Sequence, residues 1–298
     1  MMLITEYYGE ILSLLTAVVW AAAVVLFKKS GEKVHPIGLN FFKDVFAIAL
    51  LVPTMLLTAK SLMPDVPLSD WLILLGSGAL GIGIADTMFF QSLNILGAGR
   101  SSIVDCLYSP FIIGLSILWL GESLDTIQIV GVVMILSAVL AISGEKETDH
   151  LTRGQLLLGI LLGVLAMAAM AVGIVIAKPV LDRNELLWVT TTRLVGGVLV
   201  LVVILLLHPE RLTILRSIAT TGHRRYTLAG AFLGGYLSMI IWLAGMKYTQ
   251  ASISAALNQT SNIFIFILAA LFLHERITPV RLFAIIIGIA GAIIVGVT

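Results

Sequence analysis

Apolar runs of about twenty residues, separated by short clusters of charge, proline or glycine, fill the chain from Gly9 onward. A run of this length is what an α-helix needs to cross the hydrocarbon of a bilayer, about 20 residues. The breaks predict ten spans, at 9–28, 37–58, 71–95, 99–120, 126–143, 154–177, 186–207, 226–247, 251–273 and 279–297. Met1 to Gly9 hold no Lys or Arg, so the first run reads as a retained helix, not as a cleaved secretory signal. The most polar stretch, Gly144 to Thr152, sits at mid-chain as the expected linker. The longest connection, His208 to Arg225, carries Arg211, Arg216, Arg224 and Arg225 and suits a short helix on the membrane surface.

The pattern repeats. Residues 80–142 slid onto 233–295 superpose Leu80, Gly81, Ala98, Ser101, Phe111, Ile112, Leu118, Leu120 and Glu122 on identical residues. In the same register Asp105 falls on Asn258, Tyr108 on Ser261, Ser109 on Asn262, and LGE (Leu120 to Glu122) on LHE (Leu273 to Glu275). A nearby register puts Gly9 on Gly159, Lys28 on Lys178, Asn40 on Thr190 and Lys43 on Arg193. Two related halves follow, 1–145 and 146–298, each with five helices. An odd number per half makes the second enter the membrane in the opposite sense. The expected fold is therefore an all-α integral membrane protein of ten transmembrane helices in two inverted-topology repeats, an arrangement that places a site at the midplane between halves.

Composition agrees. The 298 residues are 59% hydrophobic and 12% charged, with mean hydropathy +1.08, where a soluble domain is about half apolar and a quarter charged. The partner this surface asks for is a lipid bilayer. A net charge of +1 offers no basic footprint for nucleic acid. Cys106 is the single cysteine, which excludes an internal disulfide and a multi-cysteine metal site. No metal or cofactor is expected.

Of the 18 Lys and Arg, 16 fall in loops or at the ends of the predicted spans, which leaves the repeat-related Lys43 and Arg193 in span interiors. A charge near the bilayer centre costs about 2.5–3.5 kcal/mol on insertion scales, so it turns to a cavity or pairs. Two cations facing one cleft suit an anionic or zwitterionic solute; the alternative is a buried pair, for example Lys43 with Asp86. Asp44 and Asp86 align with Leu194 and Met239 and so break the repeat. Burial penalises a charged carboxyl, which makes Asp44, Asp86 and Asp105 candidates for proton coupling. Lys43 and Asp44, adjacent on a helix, point in different directions and need not be partners.

A polar stripe on the fourth span, Ser101, Asp105, Tyr108, Ser109 and Ser116, recurs on the ninth as Ser254, Asn258, Ser261 and Asn262. Spacings of three, four and seven put each set on one helical face, and the two are expected to line a cavity across the pseudo-twofold axis. Interhelical hydrogen bonding is the alternative, at about 0.6 kcal/mol per contact. Pro110 frees a carbonyl one turn earlier and marks a bend or gate. Trp20, Trp188 and Trp242 read as packing or interface anchors. Gly76, Gly78 and Gly81 spell GxGxxG without the strand a nucleotide site needs. Like the GxxxG pairs Gly159/Gly163 and Gly230/Gly234, they suit close helix packing. His274-Glu275 lacks the second histidine of HExxH. Asp125, and Thr278 with Pro279, read as helix-start signals.

With its ten spans, its duplication, the Trp20 to Lys28 end of the first helix and its two acidic tripeptides before Gly-rich helices, the chain resembles the drug/metabolite transporter superfamily, in particular its ten-helix EamA-type members. The resemblance covers nearly the whole chain and implies a multi-pass protein of the cell (inner) membrane, not an enzyme. Its expected work is to move a small-molecule substrate, with export as the expected direction and alternating access as the mechanism. It also implies cytoplasmic termini, whereas 12 Lys and Arg at the other end against 4 at theirs place the termini outside by the positive-inside rule. A lipid or amphiphile flippase on the same fold, and an intramembrane aspartyl enzyme using Asp86 and Asp105, are the rival readings. Monomer and homodimer are both compatible with the sequence.

Overall fold

A computed structural model describes residues 7–58, 61–120, 126–143, 151–249 and 251–297. Its elements are α1 (Tyr8–Gly31), α2 (Pro36–Leu57), α3 (Leu68–Leu96), α4 (Ala98–Asp105), α5 (Tyr108–Leu120), α6 (Thr126–Ser143), α7 (Arg153–Arg183), α8 (Leu186–Leu207), α9 (Arg211–Thr220), α10 (Arg224–Tyr248), α11 (Ala251–Asn258), α12 (Ser261–Phe272) and α13 (Pro279–Val297). Among the described residues there are only helices, turns and a single isolated bridge residue. Among the described residues six helices, α1, α2, α3, α7, α8 and α10, are long and apolar enough to cross a membrane.

Several helices start where local chemistry satisfies free N–H groups. Pro36 opens α2 behind His35, whose ring nitrogen accepts from Ile37 N. Thr152 and Gln155 form a reciprocal capping box at α7. Gly97, at φ 84°, reverses the chain between α3 and α4. The carboxylate of Glu275, from the other half, accepts from Ala98 N (2.7 Å) and Gly99 N (3.0 Å). Thr278 accepts from Arg281 N and starts α13.

Two departures from the predicted spans matter for the site. The fourth span is not one helix: it breaks at Cys106–Leu107, and the ninth breaks at Gln259–Thr260, the equivalent position under the repeat. The first break stands just before Pro110, whose missing N–H cannot continue the ladder; the second has no proline and closes with tight turns, Asn262 N to Gln259 O and Ile263 N to Thr260 O. The third and eighth spans stay continuous but widen into π-helical turns at Ala79–Ile84 and Ala231–Leu237, also repeat-equivalent. Such widenings concentrate at functional positions. Residues 144–150 of the linker, Glu122, Asp125 and the side chain of Ser116 lie outside the described residues.

The halves interlock. The principal partner of α6 is α13, that of α3 is α7, and that of α1 is α10, so the first-half helices pack chiefly on second-half ones. Small residues permit this. A Cβ on Gly159 would meet Leu96 at 2.7 Å, one on Gly163 would meet Val104 at 2.8 Å, and one on Gly234 would meet Phe27 at 2.6 Å.

Candidate functional site

A cavity of about 120 Å³ lies where the middles of α1, α3, α7, α8 and α10 meet the two helix breaks. Its wall combines apolar side chains, among them Trp20, Phe89, Met167, Met170, Met239 and Trp242, with the polar Asp86, Asp105, Tyr108, Arg193, Asn258, Gln259, Ser261 and Asn262.

The two breaks hold each other. Gln259 donates to the main-chain carbonyl of Asp105 at 3.3 Å, and Asn262 donates to Gln259 Oε1 at 2.6 Å and to Cys106 Sγ at 3.5 Å. Ending α4 at Asp105 leaves its carbonyl without a helical donor, and the amide from the opposing break supplies one. Breaking the helices also turns side chains inward that a straight helix would distribute around its circumference.

The two intramembrane cations have different surroundings. Arg193 is 1% exposed. Its Nε donates to Ser77 Oγ at 2.8 Å and its guanidinium lies 5.6 Å from the Trp242 ring centroid, while Nη1 is buried with no hydrogen-bond partner among the described residues. Lys43 instead sits between two acids, 2.8 Å from Asp44 Oδ1 and 2.5 Å from Asp86 Oδ2. The expectation that Lys43 and Asp44 need not pair is corrected: the long lysine stem folds back to its neighbour. Each cation also abuts the π turn of the opposite half. A Cβ on Gly235 would stand 2.8 Å from Lys43 Cγ, and one on Gly81 would stand 3.6 Å from Arg193 Nη2.

Of the residues singled out from sequence, Asp86, Asp105, Tyr108, Arg193, Asn258, Ser261 and Asn262 line the cavity. Lys43, Asp44, Ser101, Ser109 and Ser254 are buried behind it. Ser254 Oγ pairs with Ser13 Oγ at 2.9 Å, an interhelical bond; the Ser101 and Ser109 hydroxyls are buried with no hydrogen-bond partner among the described residues. Trp20 and Trp242, read as anchors, prove to be cavity wall. The sequence reading passed over Ser77, Phe89, Gln259 and the three methionines. Gln259 had a signal, as a polar residue at the position equivalent to Cys106.

An all-helical, lipid-compatible chain whose halves line a cavity that holds buried polar and charged side chains has the build of a membrane transporter. Comparison with known proteins agrees: the EamA-like transporter family matches twice, over residues 7–144 and 157–297, and the chain belongs to that family. Its relatives include an uncharacterized transporter of Archaeoglobus fulgidus, 25% identical over 268 residues and 90% of either chain. The uncharacterized inner membrane transporter YhbE of Escherichia coli is 27% identical over 148 residues, 49% of this chain and 46% of its own. A solved structure sharing 16% identity superposes with a TM-score of 0.72 over 97% of this chain and 96% of its own, a likeness of fold.

Proposed function

We propose that the protein is a secondary carrier of the cell (inner) membrane. In this reading it moves a small anionic or zwitterionic metabolite by alternating access through the cavity between its two inverted halves. One observation carries it: Arg193 Nη1, Tyr108 OH and the Asn258 amide converge on one cavity and have no hydrogen-bond partner among the described residues. Buried polar groups are normally paired, so a cluster left open in a cavity suits a ligand that completes it. The anionic group of the solute meets Arg193 and Tyr108, Asp105 and Asn258 take its donors, and its apolar part lies against Trp20, Trp242 and the methionines. The volume is of the order that admits a benzene-sized molecule, about 150 Å³, which favours small solutes. Asp86 is bonded to Lys43 rather than to Asp105, which speaks against an aspartyl dyad. Pro110 and the two breaks are the flexible points of the cycle, and export is the direction that the resemblance suggests.

The test is uptake and efflux of labelled metabolites in proteoliposomes, with and without a pH gradient. Saturable flux of a small carboxylate or zwitterion that Arg193→Ala abolishes is the expected result. Flux of lipid analogues without flux of any polar solute would sink the reading in favour of a flippase.

A further inference from the structure

Lys43 is shared by two carboxylates with different access. Asp44 is fully buried on α2, whereas Asp86 on α3 is 5% exposed and lines the cavity. Neither oxygen of Asp44 has a hydrogen-bond partner among the described residues, although Oδ1 is in ion contact with Lys43. The surrounding elements supply little other charge. From α8 comes Arg193, engaged by Ser77 and Trp242 and electrostatically coupled to Asp86. From α10 come Gly235, against the lysine stem, and Tyr236, whose hydroxyl pairs with that of Thr54 at 2.8 Å. From α5 comes Tyr108, coupled to Arg193. The α1 ionisable groups Glu10 and Lys28 stand near the two ends of that helix. Beside Asp44, Asn40 donates to Ile82 O, Gly83 O and Thr87 Oγ1.

Two buried carboxylates share Lys43 as their one salt-bridge cation among the described residues, with Arg193 acting on Asp86 only at longer range. Buried charge that is incompletely paired is neutralised rather than tolerated. Two carboxylates around one site do not both ionise freely. A metal ion in place of the proton has no seat, because the lysine Nζ already fills the space between the acids at 2.5 Å and 2.8 Å. We propose that Asp44 and Asp86 share one exchangeable proton across Lys43, with the cavity-facing Asp86 as its entry and Asp44 as its deep seat. The proton comes from cavity water and returns to it, and no other bond forms or breaks. Asp105 lines the same cavity but has no salt-bridge partner among the described residues. The inference deepens the carrier reading and rests on it for its use in coupling, though not for its test.

The test is pH-difference infrared spectroscopy on the purified full-length protein in detergent, with no solute added. All carboxyls protonate on acidification, so the readout is the difference between variants. One protonated-carboxyl C=O band of the Asp44/Asp86 pair is expected in the wild type and in Asp105→Asn, on top of the signal of the other Asp and Glu side chains. The band of the pair should vanish in Asp44→Asn and equally in Asp86→Asn, because the remaining carboxylate then pairs one-to-one with Lys43. A band that survives either of these substitutions in protein with a wild-type melting profile overturns the proposal. Should Asp44→Asn fail to fold, Asp86→Asn alone carries the test, since it leaves Asp44 paired one-to-one with Lys43. The band is then expected to be absent, and its persistence there also overturns the proposal. Since no solute takes part, failure of the flux assay and failure of this titration are separate results.

Discussion

At the residue scale the two intramembrane cations divide the work that their equivalence in sequence assigns to both. Lys43 is spent on Asp44 and Asp86, while Arg193 keeps a free N–H toward the cavity. Arginine offers a planar fork that lysine lacks. For whichever solute passes the flux screen, Arg193→Lys is therefore expected to raise the apparent KM roughly ten- to a hundredfold, the worth of one charge-assisted hydrogen bond. An unchanged KM would remove Arg193 from the site. Outside the membrane-spanning segments, His35 gives a pH dependence with a definite sign. Its ring nitrogen accepts from Ile37 N and lies near His208, at 6.1 Å between centroids. Burial, and then the neighbouring His208, lower its pKa below 6.5. A folded state that prefers the neutral ring gains stability above the unfolded value and loses it as pH falls through the lowered folded one. Melting temperature in detergent should thus fall on acidification below about 6.5, and His35→Asn, which caps without titrating, should flatten that part of the profile.

At the element scale the π turns and the helix breaks shape the site, and here sequence and structure part company. Long apolar runs and a polar stripe are legible because period and hydropathy are properties of residues in order. Lys43, Asp86 and Arg193 stood out because charge in an apolar run is costly. A π turn has no such mark: it costs one hydrogen-bond register and is supported from outside. In α3 that support is Asn40, whose amide donates to Ile82 O (2.9 Å) and Gly83 O (3.1 Å). The second break had no proline to announce it and depends on Gln259 meeting Asp105 across the halves. A similar cross-half bond misled the reading of Ser254 as cavity lining, since its partner Ser13 lies 241 residues away. Asn40→Leu is expected to strip Ile82 O of its side-chain donor, at about 1–3 kcal/mol, while Gly83 O keeps Thr87 Oγ1 at 2.7 Å, and to lower the melting temperature. Asn40→Asp, which cannot donate when ionised, should do so as well. If both variants melt like the wild type, the π turn holds itself.

At the scale of the whole molecule, charge and contact define two ends. At one end His35 N donates to Ser217 Oγ, Ser30 pairs with Thr227, and His223 meets the carbonyl of Lys29, so the Arg-rich connection is tied to the α1–α2 turn. There α9 buries Ile214 and exposes Leu212 and Leu215, the layout of a helix lying in an interface. At the other end Arg183 bridges to Asp70 at 2.5 Å. The ends are also fastened by a swapped pair of lysines: Lys28 of α1 donates to Asn94 O at the end of α3, while Lys247 of α10 donates to Leu181 O and Asn184 O at the end of α7. These lysines are bound to carbonyls at helix C-termini, where positive charge is favoured, but they still count in the positive-inside tally. Setting them aside takes one charge from each end and leaves the imbalance on the α9 side. That side is then expected to face the cytoplasm, against the orientation that the resemblance implies. Cys106 is buried, so introduced cysteines report alone. Gly222→Cys, in open space beside α9, should resist a membrane-impermeant maleimide in intact cells. Met63→Cys, 80% exposed in the native side chain and beyond the far end of α2, should be labelled. The reverse pattern would mean that the arginines of α9 serve something other than topology, and would return the termini to the cytoplasm.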